Sequence, residues 1–321
     1  MRKALVVGID DYSGAKLQGC VNDAKAVAEI LEYNENGSKN FDVDLLTDIS
    51  SKAMLVEAVR KLFSGNADVA LFYFSGHGYV DEIGGYLVTT DFSRGDMGVA
   101  MSTVLKLAND SKCKNRIIIL DSCYSGEMGK TGFEGECSVI SDGVTVLTAS
   151  LPVESAIEIN GHGVFTSLLI AALNGGASNI MGKITPGSIY SYIDQALGAW
   201  QQRPVFKTNI SQFVSIRDMN AKVPLNVVRS IVELFPETTS EYKLNPSYEF
   251  TNSNQIEHTL IEPLANEENV KVFKMLQKLE GIGVIEPVDE EHMYFAAMNF
   301  KSCRLTAVGQ YYWKLAKDKR I

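Results

Sequence analysis

The chain has 321 residues, 45% hydrophobic and 21% charged with only 8 Pro, which suits two folded domains and argues against a large disordered part. Its 39 Asp+Glu against 30 Lys+Arg leave a net charge of −9, which disfavours a non-specific binder of nucleic-acid phosphates. No apolar run approaches the roughly 18 residues of a membrane span, and five scattered Cys without a CxxC pair exclude a disulfide scaffold and a strong zinc signature.

The apolar run Ala4–Ile9 opens the chain and reads as a strand. It is too short, and lacks the small-residue cleavage site, for a signal peptide, so a reducing, cytoplasmic setting is expected. Leu17–Tyr33 follows with Val21, Ala24, Val27, Ala28 and Leu31 at helical spacing. Val43–Leu46 is a second strand, and Ser51–Leu62 a helix with Ser50 or Ser51 as N-cap. Val69–Phe74, Arg116–Leu120 and Val144–Thr148 are further buried-strand runs, and Phe165–Leu173 is an apolar helix. Continuous apolar runs alternating with helices predict an α/β domain with a mostly parallel sheet covered on both faces. The alternation stops near Pro204–Pro224, placing a boundary between domains 1–217 and 218–321. Beyond it, Asn269–Leu279 reads as an amphipathic helix, Val284–Val288 and Met293–Met298 as two strands around an acidic turn, and Leu305–Lys317 as a helix. That order predicts a smaller α+β, winged-helix-like C-terminal domain.

Two strand ends carry the chemistry. The third run ends in Phe74-Ser75-Gly76-His77-Gly78 and the fourth in Asp121-Ser122-Cys123-Tyr124-Ser125-Gly126. Sites of open α/β sheets form at the carboxyl edge of the strands. A Cys becomes a strong nucleophile when a nearby His takes its proton. His77 and Cys123 therefore read as base and nucleophile, with the backbone N–H groups of Gly78 and Cys123 available to an oxyanion. The bland alternative for Cys123 is a packed core thiol, since free Cys is commonly buried. His162, between Gly161 and Gly163, is a rival base or a loop residue. The remaining Cys, at 20, 113, 137 and 303, read as structural, and His258 and His292 receive no role.

These segments resemble the caspase-like cysteine peptidases, in particular the metacaspase and bacterial orthocaspase branch. Further matches are Leu17-Gln18-Gly19-Cys20-Val21-Asn22-Asp23-Ala24, Thr148-Ala149-Ser150 and Gly163-Val164-Phe165-Thr166, so the resemblance covers about residues 1–215. It implies a caspase-hemoglobinase fold and a cysteine endopeptidase working through a thioester. It implies a primary pocket lined by Asp23, Asp121 and Ser150, unlike the Arg-lined pocket of caspases proper. Two carboxylates there would select an Arg or Lys side chain. Without the resemblance, Asp23 would be read as a surface or capping carboxylate and Asp121 as a strand-end group bonding backbone amides.

Some relatives in that family need calcium. Asp81, Glu82, Asp91 and Asp96 lie after His77, but Glu127 and Lys130 stand where calcium-dependent members carry Asp, so no cofactor and no metal site is expected. The Gly-rich segment Glu127–Asp142 has Lys130 as its only basic residue, a candidate for self-cleavage against the alternative of an uncut loop. The resemblance favours a monomer, a protein substrate with a basic residue at the cut, and a role in bacterial signalling, defence or programmed death. Residues 221–321 carry 12 Lys+Arg against 14 Asp+Glu, so the C-terminal domain is expected to meet a regulatory protein partner and gate a latent enzyme, with nucleic acid disfavoured. The competing functions are a silent caspase-fold scaffold and a DNA-binding regulator.

Overall fold

The computed structural model describes residues 1–93, 95–122, 139–149, 163–197, 204–254 and 259–321. Two compact units emerge, Met1–Asn220 and Ala221–Ile321.

The first unit is built on a six-stranded sheet. Its strands are β1 (Arg2–Gly8), β2 (Asp42–Thr47), β3 (Val69–Gly76), β7 (Asn115–Ser122), β8 (Val144–Thr148) and β10 (Val205–Asn209). Their spatial order is β10-β8-β7-β3-β1-β2. All neighbours pair in parallel except β10, which runs antiparallel to β8. β3 is buried along its whole length, so it reads as an unbroken apolar run and not as an alternation. Its side chains still divide by the pleat. Ala70, Phe72 and Phe74 join one core with helices α2 (Lys52–Phe63) and α3 (Met101–Asn109). Val69, Leu71 and Tyr73 join the other, with α1 (Cys20–Glu32) and the helices Val164–Ala171 and Pro186–Ala196.

Local chemistry sets these elements. Ser51 caps α2 by accepting the Met54 N–H. Thr185 and Ser188 form a capping box ahead of Pro186. α1 starts later than its apolar pattern, at Cys20, because Asp10 accepts the Cys20 and Val21 N–H groups at 2.9 and 3.1 Å. Gly8 lets α1 lie against β1. A Cβ there would stand 2.3 Å from the Cys20 carbonyl oxygen. A small antiparallel sheet that the sequence periodicity does not mark, β4 (Gly78–Val80), β5 (Gly85–Ser93) and β6 (Asp96–Ala100), follows His77 directly. β9 (Lys183–Ile184) pairs with β11 (Arg217–Asp218).

The second unit holds a three-stranded antiparallel sheet, β12 (Glu241–Lys243), β13 (Ile285–Val288) and β14 (Ser302–Leu305), in the order β12-β14-β13. The helices Glu267–Glu280 and Ala307–Lys317 flank the β13–β14 segment in sequence. Met293–Met298 is a helix, not a strand, and β14 is the partner of β13. Met293, Ala296 and Ala297 are buried while Tyr294 and Phe295 are exposed, a spacing of three and four that belongs to a helix. Among the described residues no helix is long and apolar enough to cross a membrane.

Candidate active site

His77 lies between β3 and β4, at the carboxyl edge of the parallel sheet. Gly76, just before it, is in register with Ser122, the residue that precedes Cys123 in the chain. Cys123 itself, Lys130, Ser150 and His162 fall outside the described residues. Gly78 is buried at the start of β4, opposite Leu87.

The ring of His77 is held on two sides. Its Nε2 lies 2.8 Å from the Ala15 carbonyl oxygen. A carbonyl only accepts, so this contact puts a proton on Nε2 and leaves Nδ1 as the basic nitrogen of the neutral ring. The Tyr12 ring packs against it with centroids 4.7 Å apart. The Tyr12 hydroxyl accepts the His77 backbone N–H at 3.1 Å and donates to the Val88 carbonyl at 3.2 Å. Tyr12 is fully buried, and burial holds its hydroxyl protonated far above the ordinary range. Gly76 makes room for that hydroxyl, since a Cβ would come within 2.5 Å of it. The loop carrying Tyr12 and Ala15 is fixed by the Asp10 cap and by Asp48, whose carboxylate accepts the N–H groups of Asp10 and Asp11. Neither Tyr12 nor Ala15 was singled out in the sequence. A backbone carbonyl leaves no side-chain signature, and Tyr12 would be legible only as a large residue within a polar turn.

Asp23 and Asp121 meet at one place. Asp23 is on the inward face of α1 and is 2% exposed. Asp121 is the penultimate residue of β7. Both carboxylates face Gly163, where a Cβ would sit 3.1 Å from Asp121 Oδ2 and 3.5 Å from Asp23 Oδ2. Ser75 donates to Asp23 Oδ2 at 3.3 Å, a further polar group that sequence reasoning passed over inside its own motif. Thr166 donates its hydroxyl to Asp121 Oδ2 at 2.5 Å. Burial, with the negative charge of Asp23 added, pushes the Asp121 carboxyl up to about 6. The Cys20 thiol belongs to the same neighbourhood and is pushed upward by burial and by Asp121, Asp10 and Asp23. Two acids thus stand together at this edge of the sheet, and each raises the cost of charging the other.

Three of the four carboxylates considered for calcium, Asp81, Asp91 and Asp96, have other partners. Asp81 accepts the N–H groups of Ile83 and Gly84. Asp91 accepts from the Lys52 N–H and the Thr89 hydroxyl, and Asp96 pairs with the Lys52 ammonium at 2.7 Å. Among the described residues no group of three or more His, Cys, Asp or Glu is arranged to hold a metal ion.

Comparison with known proteins agrees with this architecture. Residues 1–251 match the Peptidase_C14 family model, the caspase domain, and the chain belongs to that family. It is similar to Metacaspase-1 of Schizosaccharomyces pombe, 28% identical over 146 residues, 39% of this chain and 34% of that protein. It is also similar to Metacaspase-1A of Neurospora crassa, 38% identical over 88 residues, 24% of this chain and 19% of that protein. Metacaspase-9 of Arabidopsis thaliana is 34% identical over 89 residues, 24% of this chain and 27% of that protein. The chain thus spans about a third or less of the length of these relatives.

Proposed function

We propose that this protein is a cysteine endopeptidase that cuts protein substrates after Arg or Lys. The observation that carries the reading is the convergence of two carboxylates, the buried Asp23 and the half-buried Asp121, at the same sheet edge as a His held in one tautomer. A guanidinium offers two parallel donors to such a carboxylate pair, and an ammonium offers a point charge.

In the proposed mechanism Nδ1 of His77 takes the proton of the Cys123 thiol. The thiolate attacks the scissile carbonyl carbon, and the electron pair of the C=O bond moves to oxygen as an oxyanion facing the N–H groups of Gly78 and Cys123. Collapse breaks the C–N bond, His77 returns its proton to the departing amine, and a thioester remains. Water, deprotonated by His77, then attacks the thioester and releases the acid and the thiol. The Ala15 carbonyl stabilises the imidazolium formed in each step and keeps the ring oriented, the part played by the third member of a triad. Ser150 joins the pocket wall in this reading. The scheme uses no cofactor, and Lys130 is its self-cleavage point. The second unit is assigned the binding of a regulatory protein that releases latency.

The test is covalent trapping. A peptide ending in an Arg chloromethyl ketone is expected to add once to the protein by intact mass, on Cys123, and not to Cys123→Ala. Equal labelling of both proteins, or labelling by an Asp analogue in place of Arg, contradicts the reading.

A further inference from the structure

The motif Gly163-Val164-Phe165-Thr166 opens a helix, and the mechanism above gives it no task. Its geometry does. Gly163 is the N-cap of the helix Val164–Ala171, and its N–H lies 3.4 Å from Asp23 Oδ2. Thr166, three residues on, is fully buried and donates to Asp121 Oδ2 at 2.5 Å. Its backbone N–H also favours the charged form of that carboxyl. One helix start therefore addresses both acids, with free N–H groups and the positive end of its dipole.

The Thr166 hydroxyl is also one link of a chain. Tyr73, fully buried on β3, has its OH 2.6 Å from Thr166 Oγ1. An ionised Asp121 only accepts, so the Thr166 proton points to Asp121 and the Tyr73 proton points to Thr166. Burial and the charges of Asp121 and Asp23 hold Tyr73 protonated well above the ordinary range, so it stays a donor. Donors linked in this way polarise one another.

We propose that Thr166, backed by Tyr73, is the positioning residue of the basic-side-chain pocket, fixing the rotamer and ionisation of Asp121, while Gly163 keeps the space over the two carboxylates open. The inference rests on the proposed peptidase reading only for the identity of the guest. Thr166 touches the carboxylate and not the substrate. Gly163 matters by what it lacks, since a Cβ there stands over both acids. Among the described residues, the titratable groups around Asp121 are Asp23 and Cys20 from α1 and Tyr73 from β3.

The test separates this inference from the peptidase reading. Protein carrying carboxyl-labelled Asp, in the Cys123→Ala background, is titrated by carbon NMR. The resonance lost in Asp121→Asn is that of Asp121. A hydrogen bond to a carboxylate is worth on the order of one pH unit or more, so Thr166→Val is expected to move the Asp121 midpoint upward by about that much. Tyr73→Phe should move it less in the same direction, and Thr166→Ser, which keeps the hydroxyl, should return it to the wild-type value. Agmatine, the probe for a guanidinium guest, should lower the midpoint in Thr166 protein and weaken about tenfold in Thr166→Val. An unchanged midpoint in a folded Thr166→Val protein overturns the inference. Expected midpoints together with no cleavage after Arg or Lys by active protein leave Thr166 in this role and overturn the peptidase reading instead.

Discussion

Removing the charge of Asp121 should stabilise the protein while disabling its pocket. The Asp121 carboxyl is pushed from the ordinary 3.8 to about 6 by burial and by Asp23. The folded state therefore holds this proton more tightly than the unfolded state, and stability falls as pH rises from about 4 through about 6. Converted at 1.36 kcal/mol per pH unit, the gap corresponds to at most about 3 kcal/mol above that window. Asp121→Asn removes the charge but keeps an oxygen that accepts from Thr166. For a unit of this size each kcal/mol moves Tm by about 2–4 °C, so the variant should melt up to about 6–12 °C higher at neutral pH. The advantage should shrink as pH falls through about 6 and vanish near pH 4. The assay is thermal unfolding across that range, with both proteins in the Cys123→Ala background. A variant that melts lower than its parent at neutral pH, or a difference that does not depend on pH, refutes the reasoning.

The same carboxyl should shape the kinetics. kcat/KM for an Arg peptide relative to an Ala peptide is expected to drop below about pH 6 as Asp121 protonates, and the limb in kcat should lie lower because a bound cation favours the carboxylate; a ratio flat across that range would oppose it. Tyr12→Phe leaves the His77 N–H and the Val88 carbonyl without the bonds Tyr12 supplies, so it should cost about 1–3 kcal/mol in stability and lower kcat roughly tenfold through misorientation of His77, as read by denaturant unfolding and steady-state rates. Gly8→Ala drives a methyl to 2.3 Å from the Cys20 carbonyl and 2.7 Å from the Ala24 Cβ; overpacking of this kind costs about 1–3 kcal/mol, and displacing α1 should also weaken selection for Arg. Arg116→Met strips four bonds from the guanidinium, two buried to the carbonyls of Ala108 and Cys113 and two part-buried to those of Lys114 and Asp142, and should cost about 3 kcal/mol or more in urea unfolding.

The inner strands of the parallel sheet were legible because burial on both faces forces unbroken apolar runs, as in Val69–Phe74 and Arg116–Leu120. The position of His77 followed from them, since the motif begins where β3 ends. The small sheet β4–β6 was not legible. Its turns and its alternation are short, and Gly78, Gly84, Gly85 and Gly98 interrupt any period. Met293–Met298 misled because a six-residue apolar segment fits both periods until its burial is known. Asp23 shows the limit of local reasoning most clearly. Its spacing of four and eight residues from Val27 and Leu31 puts it on the apolar face of α1, yet that pattern gives a buried carboxylate no task, so resemblance alone pointed to it, and the structure places it beside Asp121, Ser75 and Gly163. The groups that orient His77 were invisible because one is a main-chain carbonyl and the other acts across 65 residues of sequence.

The central claim is that a Cys123/His77 pair works beside an acidic pocket, and a peptide panel tests it most directly. Fluorogenic peptides identical except for Arg, Lys, Asp or Ala before the cut would be offered to the wild type, Cys123→Ala and Asp121→Asn, each with calcium and with chelator. The account predicts that, once latency is released, the wild type turns over the Arg and Lys peptides under both conditions, that Cys123→Ala turns over none, and that Asp121→Asn selectively loses the basic peptides. Turnover surviving in Cys123→Ala, or faster cleavage after Asp than after Arg, would contradict it.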